Sequence, residues 1–192
     1  MFLDQLTEDH KNFTRVLGLL QRQLDELTSF NSPDYYLMLK IVQYFEEYPG
    51  RCHHPVEDAL LSIYLKRSTD GADIIENLLK DHSGLEKITL DLRSQIEAIL
   101  AGKKIDIEVF KHQLAGFLQR QQDHMAVEEL KVFPLLRKVL NDGDWDTVKR
   151  RLALQKDPLF GSQVPHEYES LYRHISCQVL DHHAGRSISA RK

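Results

Sequence analysis

The sequence is short of most things that announce a function. Two cysteines among 192 residues, Cys52 and Cys177, make neither a disulfide framework nor a CxxC zinc pattern. A reducing cytoplasm is therefore the expected compartment. Positive charge is not in surplus. The 25 Lys and Arg stand against 29 Asp and Glu, a net charge of −4, so the basic surface that nucleic acid needs is missing. No apolar run approaches the ~20 residues of a membrane span. The opening MFLDQLTEDH has no basic n-region and carries acids where a signal peptide is apolar. Neither nucleic acid nor membrane is an expected partner. A chain of 192 residues suggests one domain with an appendage. What is plentiful is histidine, ten in all.

The apolar positions read as helices. Leu3, Leu6, His10, Phe13, Leu17, Leu20, Leu24 and Leu27 are spaced alternately three and four apart, one continuous stripe with a histidine on it. Ser32-Pro33-Asp34 predicts a cap followed by proline at the first helical position. Pro49-Gly50 predicts a break or kink before the helix resumes near Arg51 through His53, Glu57, Leu60 and Tyr64. A third stripe runs Ile75, Leu78, His82, Leu85, Thr89, Leu92, Ile96, Ile99 and ends at Gly102. A fourth runs Phe110, Leu114, Phe117, Gln121, His124, Glu128, with Pro134 kinking its end and Asn141-Asp142-Gly143 closing it. Four long amphipathic helices joined by short turns predict an all-α antiparallel up-down-up-down four-helix bundle over residues 1–140. Residues 141–192 read as a helical C-terminal extension and tail. Its stripe of Tyr168, Leu171, Tyr172, Ile175 and Val179 is expected to cap the bundle or to pair two chains as a homodimer.

The chain also repeats itself. Setting residue 53 over residue 124 lays HHPVED on HMAVEE, so His53 meets His124, Glu57 meets Glu128 and Asp58 meets Glu129. Asp9-His10 falls on Asp81-His82 at nearly the same offset. A helix with one inward histidine is followed, twice, by a helix with HxxxE, which predicts a pseudo-two-fold bundle. In HxxxE the two side chains lie four apart on one helix face. Singly, a histidine on an apolar stripe is an ordinary core residue, and HxxxE an ordinary surface pair. The duplication points to one shared site.

Four imidazoles and two carboxylates in a bundle interior are costly alone. Each unpaired buried ion costs several kcal/mol, against a total stability of about 5–15 kcal/mol. Two divalent cations would compensate. Nitrogen and oxygen donors without thiolate suit iron, manganese or zinc. Two carboxylates suffice to bridge a metal pair, and four histidines give each ion two nitrogens. An oxide or hydroxide bridge would leave an octahedral iron one open position.

DHKNF, YPGRCHHPVED, DHSGLE and HMAVEELKVFPLL resemble the four segments of hemerythrin-like, HHE cation-binding proteins of the bacterial single-domain type. The resemblance implies a non-haem di-iron centre inside the bundle, oxo- or hydroxo-bridged. Carried over position by position, it makes His10, His53, His82 and His124 terminal ligands and Glu57 and Glu128 bridges. The oxygen-carrying members bring a fifth histidine four residues after the third-helix ligand. Here that position is Glu86, which shares the face of His82; it could bind a metal through oxygen or hydrogen-bond a ligand, against the plainer expectation of a polar residue at the edge of the bundle. The branch linked to nitric-oxide stress and iron–sulfur repair often has an extra cysteine-bearing N-terminal domain, which does not precede helix one here.

Neighbouring residues carry weaker expectations. His54 and Asp58 sit one residue round from the HxxxE pair, and a 100° rotation should turn both toward the surface or toward hydrogen bonds with ligand side chains. Asp9 and Asp81 are expected to be exposed, Cys52 small and buried, Tyr44 and Tyr48 packed, and Gln121 on the route to the metals. His112, His166, His174, His182 and His183 lack carboxylates at ligand spacing and are expected on the surface.

Three functions follow. The first is a di-iron protein binding a small diatomic ligand, oxygen or nitric oxide, as store, sensor or scavenger. The second is a di-iron redox enzyme, an oxidase, a peroxidase-like activity or nitric oxide or iron–sulfur chemistry. The third is an interaction module stapled by zinc or iron. The first is preferred, because the metals keep open positions and no substrate-sized pocket with acid–base groups is visible.

Overall fold

The computed structural model describes residues 2–29, 31–152, 155–161 and 163–176. Those residues are helical, with no strand among them. Helix α1, Phe2–Thr28, is unbroken, and its 3-4 stripe is buried from Leu3 to Leu20. Helix α2, Tyr35–Phe45, is capped by Asp34, whose Oδ1 accepts the Leu37 amide at 2.9 Å. The cap is therefore Asp34 and not Ser32, and Pro33 lies outside the helix.

Pro49-Gly50 does not break the second rod. Glu46–His53 continues it as a π-helix, with the His54 amide donating to the Pro49 carbonyl five residues back. The wider turn gives the proline ring room beside the preceding carbonyls, so the helix runs on. Helix α3, His54–Leu65, follows without a gap and carries Pro55 beside the π-turn, where the continuous rod forgoes one backbone hydrogen bond.

Helix α4, Ala72–Leu100, starts at Gly71 (φ 65°), where a Cβ would stand 2.9 Å from Leu135 Cδ1. The turn after it uses Gly102 at φ 71°. Helix α5, Ile107–Val127, runs through a second π-turn, Glu128–Val132, into α6, Phe133–Val139. Asn141 does not merely close this rod. With Asp144 it forms a reciprocal capping box that opens α7, Asp142–Arg151. Residues 169–176 form a last helix, α8, behind the short turn His166–Tyr168.

The core falls into two apolar clusters. One holds Phe13 to Leu27 of α1, Leu37 to Tyr48 of the second rod, Leu92 and Ile96 of α4, and Phe110 to Met125 of α5. The other holds Leu3 and Leu6, then Val56 to Tyr64, Ile75 and Leu78, and Val132 to Leu140. Each rod passes from one cluster to the other, in alternating order along the chain. His10, His53, Glu57, His82, His124 and Glu128 lie where the rods cross between the two clusters.

The extension packs on its own chain. Leu159, Tyr168, Leu171 and Ile175 are buried in the first cluster. Asp157 is buried where Tyr44 donates to it at 2.8 Å and Asn12 at 3.4 Å. Burial pushes its carboxyl up to about 6, against hydrogen bonds from Leu159 and Tyr44 that pull it down. Tyr48 donates to the Gln155 carbonyl at 3.1 Å, and Tyr168 to Glu47. Of the expected capping or pairing stripe, Tyr172 is exposed, and Val179 lies outside the described residues, as do Cys177, His182 and His183.

Candidate metal centre

Each rod delivers one imidazole to a common centre. His10 comes from α1, His53 from the end of the first π-turn, His82 from α4 and His124 from α5; all four are buried. Glu57 follows His53 by one turn and Glu128 follows His124 by one turn, both 2% exposed or less. The inward nitrogens and the carboxylates converge. Glu57 Oε1 lies 3.1 Å from His53 Nε2 and 3.7 Å from His10 Nε2, while its Oε2 lies 3.7 Å from His82 Nε2. Glu128 Oε1 lies 3.2 Å from His124 Nε2 and 3.4 Å from His82 Nε2, while its Oε2 lies 3.3 Å from His10 Nε2. Each carboxylate therefore spans both imidazole pairs with its two oxygens.

The outward nitrogens are held as well, and by the same repeat. His53 Nδ1 is 3.1 Å from Asp9, and His124 Nδ1 is 3.0 Å from Asp81. His10 Nδ1 is 3.0 Å from Glu129, and His82 Nδ1 is 2.6 Å from Asp58. The acid before each single histidine anchors the histidine of the next HxxxE. The acid after each HxxxE anchors a single histidine. Asp9 is thus buried, not exposed, and Asp81 is half-buried, with Arg120 Nε donating to it at 2.7 Å. A carboxylate on Nδ1 keeps the proton there and turns the Nε2 lone pair inward. Asp81→Asn is expected to lower metal affinity about 10–100-fold while leaving the helical content unchanged, read by chelator competition and circular dichroism.

The interior of the cluster lacks something. Glu57 Oε1 and Oε2, Glu128 Oε2 and His124 Nε2 are buried without a hydrogen-bond partner. Orphaned acceptors in such a site are expensive. Protons fill part of the need. Burial opposes protonation of His53, yet the charge of Glu57 in contact with it and the hydrogen bond with Asp9 raise it to about 10. Burial likewise opposes His82, which Asp58 and Glu128 raise to about 10, and His124, which Glu128 and Asp81 raise to about 9. Burial would lift Glu57, but the His53 charge holds it well below the usual carboxylate range. Cations placed among these atoms would satisfy the oxygens and the nitrogens together, and the donor set fits iron, manganese or zinc.

The family profile of the hemerythrin HHE cation binding domain matches residues 1–136. The chain belongs to that family. Comparison with curated proteins finds no match. A hemerythrin HHE domain binds cations, and this one brings two groups of buried donor atoms together, each within 4.8 Å: His10, His53 and Glu57, and His54, Glu57, His82 and His124.

His54 is the residue the rotation argument misplaces. It is 8% exposed and stacks on His82, with ring centroids 4.4 Å apart and planes at 10°. The second rod lies between α1 and α4, so successive side chains can point at different neighbours. Burial and the adjacent imidazoles hold His54 well below the usual histidine range, so it is neutral at pH 7. Its ring is the histidine that a single inward stripe could not reveal.

Glu86, where the hemerythrin oxygen carriers have a histidine, is exposed and lies outside both donor groups. With His54, Leu85, Thr89 and the buried Gln121 it lines a cavity of about 140 Å³. Cys52 is only half-buried, packed at the margin of the first cluster with its thiol 3.4 Å from Gln155 Oε1. Tyr44 and Tyr48 pack as expected but also donate hydrogen bonds, the one hydroxyl proton of Tyr48 being shared between Asp9 and the Gln155 carbonyl, each at 3.1 Å. His112, His166 and His174 are exposed. No helix among the described residues is long and apolar enough to cross a membrane.

Proposed function

We propose that the chain is a non-haem di-iron protein that binds a small diatomic ligand, oxygen or nitric oxide, as a store, sensor or scavenger. His10 and His53 would hold one ion and His82 and His124 the other, with Glu57 and Glu128 placed to serve both. The observation that carries this reading is the reach of each buried carboxylate to both imidazole pairs. The alternating order in which the rods meet the two clusters supports an antiparallel up-down-up-down bundle around the ions.

Bound there, ferrous ions supply a Lewis-acidic, electron-rich site for a diatomic molecule. The chain's own residues prepare it. Asp9, Asp58, Asp81 and Glu129 hold the imidazole protons on Nδ1. Phe13, 5.0 Å from the His53 ring, and Phe133, stacked on His10 at 5.6 Å, exclude water from one side. The cavity of about 140 Å³ on the His54 side suits a diatomic guest; a second one of about 560 Å³, lined by Asp81, Arg120, Asp123 and His124, falls in the roughly 300–1,000 Å³ range of larger ligands, against the expectation that no substrate-sized pocket with acid–base groups is present. Glu86 and Gln121 line the smaller cavity and are placed to hydrogen-bond what enters.

One feature favours the redox-enzyme reading. The Tyr48 hydroxyl, Asp9 and His53 form a hydrogen-bonded chain from a buried phenol to the centre. Anaerobic titration of the reduced, iron-loaded chain with nitric oxide is the test. A visible absorption change that saturates with ligand is expected. No change with either nitric oxide or oxygen would reject ligand binding.

A further inference from the structure

The internal repeat fails at one buried position, and that position faces the centre. The register that lays His53 on His124 lays His54 on Met125. Every other buried titratable member of the repeat has a matching acid or imidazole in the second half. His54 has none.

The surroundings of His54 differ from those of the other four imidazoles. Each of those has a carboxylate on Nδ1. His54 makes no hydrogen bond among the described residues. It lies parallel to His82 and edge-on to His124 at 5.4 Å, and it is farther from His53, at 5.9 Å. One of its ring nitrogens gathers with donor atoms of Glu57, His82 and His124 within 4.8 Å. His54 thus brings a ring nitrogen beside two other imidazoles and a carboxylate, with no carboxylate of its own on the ring's other side among the described residues.

We infer that His54 is a fifth imidazole of the metal centre, serving the ion held by His82 and His124, so that the two ions have unequal shells. This rests on the proposal that the centre holds two ions. The fifth imidazole comes from the second rod, one residue beyond a ligand, and not from the α4 position that Glu86 occupies. The consecutive pair His53-His54 then serves both ions, because the second rod sits between α1 and α4. The ion held by His10 and His53 gains no such donor, since its counterpart in the repeat is the thioether of Met125.

Titration of the metal-free chain with cobalt(II), followed by its visible d–d bands and by chelator competition, tests this. The wild-type chain is expected to take two ions. His54→Ala should weaken one of them at least about tenfold, since even outer hydrogen-bonding partners are typically worth that much. The bands of that ion alone should intensify as its coordination number falls. His54→Gln, which keeps most of the volume, should show the same loss if the alanine chain folds poorly. Met125→Ala, at the matching position, should leave both affinities unchanged. Two ions bound at wild-type affinity with unchanged bands in both His54 variants would overturn the inference and leave the two-ion centre standing. A wild-type chain that takes no cobalt would overturn both.

Discussion

Replacing Glu57 with Gln is expected to empty both halves of the centre at once. The amide keeps the shape of the side chain and loses its charge. The two carboxylate oxygens of Glu57 face different imidazole pairs, Oε1 toward His53 at 3.1 Å and Oε2 toward His82 at 3.7 Å, and the amide keeps only one oxygen, uncharged, with an NH2 that cannot ligate in place of the other. Neither ion can therefore keep its full donor set. Affinity at both sites should fall by more than the roughly 10–100-fold typical of an outer hydrogen-bonding partner, and metal content should drop below one ion per chain after desalting. His82→Ala, by contrast, removes a donor from one ion and should leave the other bound. Elemental analysis of the two variants side by side separates the cases. A Glu57→Gln chain that keeps two ions would contradict the bridging role.

The second large effect is on pH dependence, which metal loading cancels above about pH 6.5. In the metal-free chain His53 and His82 titrate at about 10 and His124 at about 9. Unfolded histidine titrates near 6.5. Raised histidines add stability that is fully present below about 6.5 and lost as pH rises through 9 to 10. Glu57 and Glu128 are held below the usual carboxylate range, so their contribution is present above about 4.5 and lost as pH falls. The Tm of the metal-free chain should thus be highest between about pH 4.5 and 6.5, and decline toward pH 10.

Metal ions compete with those same protons, because ligation needs the deprotonated nitrogen. Loading near pH 7.5 should therefore expel about three protons per chain, one from each raised histidine. Overall affinity should climb with pH by about tenfold per unit for each proton released. The Tm difference between loaded and metal-free chains should widen from pH 6.5 to 9. Calorimetry in buffers of different ionisation enthalpy counts the protons. Loading without proton release, or parallel Tm profiles, would contradict the electrostatics of the cluster.

The parts of this site that were legible in the sequence obey local rules. A stripe spaced three and four apart puts His10 or His82 on an inward face wherever the helix packs. HxxxE aligns His53 with Glu57 and His124 with Glu128 without reference to another helix. The structure brings those six side chains together. What spacing could not show depends on packing between rods. Asp9 anchors a histidine 44 residues away on another helix, and Asp81 one 43 residues away. The repeat did contain that signal, since both acids precede a histidine at matching positions.

His54 escaped because a 100° rotation leaves the inward line only when a helix has one inward neighbour, and the second rod has two. The continuity of that rod through Pro49-Gly50 depends on a π-turn, which replaces the i to i+4 pattern that proline breaks. The docking of the extension rests on Tyr44 and Asp157, which are 113 residues apart and share no pattern.

The most direct measurement is the metal content of the chain itself. Metal-free protein is reconstituted anaerobically with excess ferrous iron, desalted, and analysed for iron against protein concentration. Two irons per chain, falling to one in His82→Ala, is the result that a pair of ions spanned by Glu57 and Glu128 predicts. A ratio of one or none in the wild-type chain, or two irons that persist after Glu57 and Glu128 are both replaced by alanine, would contradict it.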